Sequence, residues 1–198
     1  MIEHRDDLGS RLGMWLFVFT ELLLFGMLFL VYSVFRTMHP EAFELGGEEL
    51  DVFMGTLNTA LLLISSMTMA MSITAIQKGN RKFSLALLGV TLLIALIFLV
   101  NKYFEWGSKI EYGLYPGSEQ LADLGYGTIL FFGLYYMMTG IHAIHIIIGI
   151  GLFVFVGSKL YSGAVNASDN MWLVNVGLYW HLVDLIWIFL FPLFYLIH

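Results

Sequence analysis

The chain has 198 residues, 59% hydrophobic and 12% charged, with mean hydropathy +0.83, a composition that excludes a soluble globular domain and belongs to an integral membrane protein. It contains no cysteine, which removes disulfide frameworks, thiolate metal sites and cysteine nucleophiles from consideration. The net charge of −6 comes without a basic run, so nucleic acid is not the expected partner and acidic loops facing water are.

The segment Met1 to Arg11, "MIEHRDDLGSR", lacks a positive leader and a small-residue cleavage site, and reads as mature sequence. A helix needs about 20 apolar residues to cross the hydrocarbon core. Five stretches qualify, at 12–36, 51–77, 82–104, 127–157 and 172–197. Continuous hydrophobicity is the opposite of the alternating segments of a membrane β-barrel. No repeat or linker divides the chain, so residues 1–198 are read as a single membrane domain, an all-α five-helix bundle.

Span one carries Glu21 within "FVFTELLLF", an intramembrane carboxyl of the kind that faces a bundle interior. The loop after it is acidic, with Glu41, Glu44, Glu48, Glu49 and Asp51. Span two places Asn58, Ser65 and Ser72 seven residues apart, with Thr59 and Ser66 beside them, a small-polar seam that lets membrane helices approach closely. At the end of span three, Glu105 precedes Lys109 by four residues, the spacing of an exposed helix-end pair. Span four lines up Tyr135, Met138, Thr139, His142 and His145 on one helical face, and span five repeats the i, i+3 geometry with His181 and Asp184.

At 1.5 Å per residue, Glu21 lies about 13 Å into its span, His181 and Asp184 about 15 to 18 Å, and His145 about 20 Å. Glu21, His142, His145, His181 and Asp184 thus reach comparable depths and are the candidate polar core. Structural hydrogen bonding between helices, proton handling and metal ligation are the three readings such a set allows. Metal ligation is disfavoured because two histidines at i, i+3 lack the dense carboxylate-and-histidine set of di-metal bundles.

Five crossings put the termini on opposite sides. Arg5, Arg11, Lys78, Arg81, Lys82 and Lys159 fall on the N-terminal side, and Arg36, Lys102 and Lys109 on the other. The positive-inside rule therefore predicts a cytoplasmic N-terminus and an outer C-terminus.

Together these stretches resemble subunit III of the haem-copper respiratory oxidases, in the five-helix bacterial form. "GMWLFVFTELLLFGMLF" resembles the family's first span with its buried carboxyl at Glu21. "LNTALLLISSMTM" is similar to its Asn-Thr and Ser-Ser span, and "FEWGSKIEYGLYP" to the close of the third. "TGIHAIHIIIG" and "YWHLVDLIWIFLFPLFY" resemble its two most specific motifs. Thr20, Ala143 and Lys102 depart from the pattern, at positions where the family commonly has Ser, Gly and Gln. The resemblance implies a V-shaped pair of bundles, spans one and two against three to five, with phospholipid in the cleft. It implies a non-catalytic subunit without metal or cofactor of its own, packed with subunits I and II, which hold the haem and copper, in a bacterial plasma membrane. Stabilising subunit I, supporting its proton uptake and giving oxygen access through the lipid-filled cleft are the implied roles, with a larger respiratory supercomplex as a further partner. Quinol oxidase and nitric oxide reductase accessory subunits share the pattern. A membrane metalloenzyme using the His, Glu and Asp cluster, and a small proton-coupled transporter, are the readings from other classes.

Overall fold

The computed structural model describes residues 7–197. Arg5, counted above for orientation, lies outside the described residues. In chain order the helices are α1 (Asp7–Met38), α2 (Pro40–Glu48), α3 (Val52–Gln77), α4 (Arg81–Glu111), α5 (Glu119–Asp123), α6 (Tyr126–Ser162) and α7 (Met171–Tyr195). Of these, α1, α3, α4, α6 and α7 are long and apolar enough to cross a membrane. The expected all-α, five-span architecture is what the chain adopts.

Local signals set the helix ends. The Asp51 carboxylate accepts from Met54 N at 3.1 Å to start α3, and the Asn80 side chain accepts from Phe83 N at 3.2 Å to start α4, satisfying amides that have no intrahelical partner. Gly163, at φ +85, ends α6 in the left-handed conformation that glycine adopts without strain. Two helices outrun their apolar cores. α4 continues from the expected 104 to Glu111, and α6 from 157 to Ser162, because only at Tyr112–Gly113 and Gly163 does the backbone turn away. Part of the acidic first loop is also helical: Pro40 begins α2, which buries Phe43, Gly46 and Gly47 and leaves Glu41, Glu44 and Glu48 exposed. A Cβ on Gly46 would fall 2.3 Å from the Phe131 ring, so glycine is what allows α2 to rest on α6.

The five spans share one set of helix contacts. α3 packs most extensively on α4 and then on α7; α6 packs on α7 and α4; the backbones of α1 and α3 do not approach each other. α1 instead lies along α6 and α7. Its inward stripe of Met14, Val18, Glu21, Phe25, Leu28, Tyr32 and Phe35 recurs every three or four residues, the period of a supercoiled seam. The small-polar seam of α3 faces the large rings of α7 and the hydroxyls of α4. The outer face of α1 is apolar and exposed at Trp15, Leu16, Phe19, Leu23 and Leu30.

Candidate functional site

The first candidate pair joins α1 to α6. Glu21 Oε2 lies 3.0 Å from His145 Nε2, with both side chains largely shielded. The other ring nitrogen, Nδ1, lies 2.8 Å from the carbonyl of Ile141. A carbonyl oxygen only accepts, so Nδ1 carries a hydrogen. The Nε2 to Oε2 contact then requires a proton between imidazole and carboxyl, either on the acid with a neutral ring or on the ring beside a carboxylate. In both forms the pair is neutral overall. The Phe25 ring stands edge-on to His145 at 5.6 Å, and Tyr179 donates to the His145 carbonyl at 2.9 Å, so α7 fixes the backbone from which the imidazole projects.

The second group lies between α3 and α7. Ser66 Oγ is 2.6 Å from His181 Nδ1, Trp180 Nε1 donates to Ser65 Oγ at 3.0 Å, and Trp187 Nε1 donates to Thr59 Oγ1 at 3.0 Å. The seam of span two thus receives the polar edges of three rings of α7, two at the adjacent Ser65 and Ser66 and the third at Thr59, about two turns away. Asn58, on the same helix, accepts from Asn101 Nδ2 of α4 at 2.9 Å. Asp184 is buried near Ser66, and neither of its carboxyl oxygens has a hydrogen-bond partner among the described residues.

His142 stands apart from its neighbour on the helix. It is fully buried, with Phe98 at 5.7 Å and Trp187 at 5.2 Å between ring centroids, and neither ring nitrogen has a hydrogen-bond partner among the described residues. The five residues expected to share one polar core are therefore divided: Glu21 with His145, His181 with Ser66, Asp184 beside the Ser66 seam, and His142 within an aromatic box. Among the described residues no three His, Asp or Glu side chains are placed to hold a metal ion, and this dispersed donor set does not fit a metal centre.

The largest correction concerns Lys102 and Glu105. Both are buried, and Lys102 Nζ lies 3.2 Å from Glu105 Oε1. The same ammonium donates to Tyr135 Oη at 3.1 Å and Tyr195 Oη at 2.9 Å, which uses its three hydrogens. Tyr135 donates to Glu105 Oε1 at 2.5 Å, and Tyr195 donates to the same oxygen. The cluster ties α4, α6 and α7 together near one end of the bundle. Glu105 is thus not an exposed partner of Lys109, whose ammonium donates to the Glu49 carbonyl instead. Nor is Lys102 a loop cation to be counted for orientation. Because α4 runs on to Glu111, both residues sit well inside the helix. The i, i+3 spacing of opposite charges at the edge of an apolar run was the signal available in the sequence.

With this geometry in view, comparison with known proteins decides the family. The sequence pattern of cytochrome c oxidase subunit III matches residues 4–198. The chain belongs to the cytochrome c oxidase subunit III family. Among its relatives, the cytochrome c oxidase subunit 3 of Thermostichus vulcanus is 32% identical, over 98% of this chain and 90% of that protein. A haem-copper oxidase subunit I+III of Aeropyrum pernix is 31% identical over 99% of this chain, which spans only 24% of that longer polypeptide. The cytochrome bo(3) ubiquinol oxidase subunit 3 of Pseudomonas aeruginosa is 26% identical, over 98% of this chain and 88% of the relative.

Proposed function

We propose that this chain is the non-catalytic subunit III of a haem-copper terminal oxidase in a bacterial plasma membrane. It stabilises subunit I and supports proton uptake there, while the haem and copper are held by subunits I and II. The observation that carries this reading is the family match over residues 4–198, joined to side chains that do not fit a metal centre of their own. The Aeropyrum pernix relative, named for subunits I and III together, favours subunit I as the direct partner. The apolar outer face of α1 suits contact with another membrane helix or with lipid. Phospholipid is a further partner, and oxygen reaches the catalytic subunit through lipid held against this one. A respiratory supercomplex is compatible with the exposed acids of α2.

The N-terminus lies in the cytoplasm. With Lys102 buried, the cations left near the membrane surfaces are Arg11, Lys78, Arg81, Lys82 and Lys159 on the N-terminal side against Arg36 and Lys109 on the other, a bias that supports this orientation. A quinol oxidase is the second reading, favoured by the Pseudomonas aeruginosa relative and by a probable quinol oxidase subunit 3 of Staphylococcus haemolyticus, 27% identical over 98% of this chain. The role of the subunit is the same in both.

Deleting the gene for this chain tests the proposal. The remaining complex is expected to keep its haem and its initial rate but to lose activity over successive turnovers. Loss of haem from an otherwise assembled complex would overturn the non-catalytic assignment.

A further inference from the structure

We propose that the turn between α3 and α4, with the grooves on its two sides, binds the headgroup of an anionic phospholipid. This deepens the membrane role given above by assigning one lipid class to one place, and it rests on the chain lying in a bilayer, not on the identity of its partner subunits.

The turn from Gln77 to Lys82 carries Lys78, Arg81 and Lys82 and no acid. Among the described residues none of these three side chains makes an ion pair. Other cations of the chain are engaged: Lys102 within its buried cluster, Lys109 on the Glu49 carbonyl, and Lys159 over the Phe155 ring at 5.7 Å. Three unpaired cations at a helix-helix turn where two membrane spans end form a local positive field at headgroup depth, and such a field attracts anionic lipid.

The grooves give the charge a shape. On one side, Met67, Ala70, Met71, Thr74 and Lys78 follow three- and four-residue steps along one face of α3, and Phe83 and Asn80 close the upper wall around about 570 Å³. Met67 to Lys78 covers about 16 Å of helix axis. Along it the lining passes from ammonium and amide, through Thr74, to alanine and thioether. That gradient matches a phospholipid with its phosphodiester at the turn and an acyl chain directed into the membrane. Methionine suits the inner part because its flexible thioether adapts to a chain of varying shape.

On the other side, Arg81, Lys82 and Leu85 face Tyr161 from the end of α6 around a groove of about 540 Å³. Asn80 borders both grooves. Its Oδ1 is taken by Phe83 N, which leaves the Nδ2 hydrogens to donate to a phosphate oxygen. A zwitterionic headgroup has no net charge to respond to three cations. A phosphatidylglycerol headgroup carries one negative charge and hydroxyls for Asn80 and Tyr161, so charge complementarity selects it.

Native mass spectrometry of the tagged complex in gentle detergent tests this, with phosphatidylglycerol or phosphatidylcholine added and bound lipid counted on species containing this chain. Each cation near the surface contributes about a fivefold factor, so replacing all three by Gln (K78Q, R81Q and K82Q together) should weaken phosphatidylglycerol binding on the order of a hundredfold at the site. Phosphatidylcholine binding should be unchanged. Ala70→Trp, which fills the groove and keeps every cation, should also lose the phosphatidylglycerol. Equal retention of the two lipids by the wild type, or full phosphatidylglycerol binding by the triple variant, would overturn the proposal. The count is made on the chain itself, so absence of co-purifying haem would contradict the oxidase reading and not the lipid site.

Discussion

His145 meets Glu21 through Nε2 at 3.0 Å while its Nδ1 is held on the Ile141 carbonyl at 2.8 Å. The carbonyl fixes which nitrogen carries a hydrogen, so the interhelical contact is bound to hold one proton. Tyr32, donating to the Leu193 carbonyl, and Ser10, accepting from Asn175 Nδ2 at 3.0 Å, also tie α1 to α7, but the Glu21–His145 contact joins two side chains that can each carry charge. In a membrane, where apolar helices gain little from burying their faces against each other rather than against lipid, such a link helps place a peripheral helix.

Glu21→Ala removes the partner of His145 Nε2 and should destabilise the docking of α1 by about 1–3 kcal/mol. Glu21→Gln keeps a donor within reach of Nε2 and should cost less. Limited proteolysis of the loop around α2, where α1 hands over to α3, reads this out. Equal protection of Glu21→Ala and wild type would show that the pair does not hold α1.

Lys102→Met leaves Glu105 and two tyrosine hydroxyls buried without their cation, and should cost about 3–5 kcal/mol in stability. Replacing Lys102 and Glu105 together by Met and Leu should recover much of that loss, since an isolated buried charge is the expensive species. Thermal unfolding of the four proteins in one detergent gives the double-mutant cycle. Additive losses would mean that the two charges do not interact.

Gly149 lies where a Cβ would come 2.8 Å from the Trp180 ring, and that ring donates to Ser65 of α3 at 3.0 Å. Gly149→Ala should therefore push Trp180 off its acceptor and destabilise by about 1–3 kcal/mol. Gly151, on the same helix with open space around it, is the control. Trp fluorescence and thermal unfolding of both variants make the comparison, and equal behaviour would sink the close-packing argument.

Metal content separates the reading adopted from a metalloenzyme. The isolated chain should bind no iron, copper or zinc stoichiometrically, and His145→Ala should not alter its metal content. A tightly held metal lost in that variant would require donors to converge in a way the described geometry does not provide.

The five crossings were legible because hydropathy acts over whole spans, and a run such as 127–157 has no other stable environment than a bilayer. The partners of the polar groups were less legible. His142 and His145 share a face of α6, yet one meets a carboxyl from α1 and the other an aromatic box from α4 and α7. Three residues turn a helix by nearly a full revolution, but not quite, and in a bundle that residual angle decides which neighbour is met. In the sequence Lys102 and Glu105 have the look of surface charges, because the apolar run ends at their position. Their burial depends on Tyr135 and Tyr195, which are distant in sequence and supply polar hydroxyls on otherwise apolar rings.

The most direct test is purification through a C-terminal tag in gentle detergent, followed by an optical spectrum and peptide identification of the proteins that travel with the chain. Haem absorbance and peptides of an oxidase subunit I, in near-equal amount to this chain, are the predicted result. A chain that emerges with stoichiometric metal of its own and no haem protein beside it would contradict the assignment.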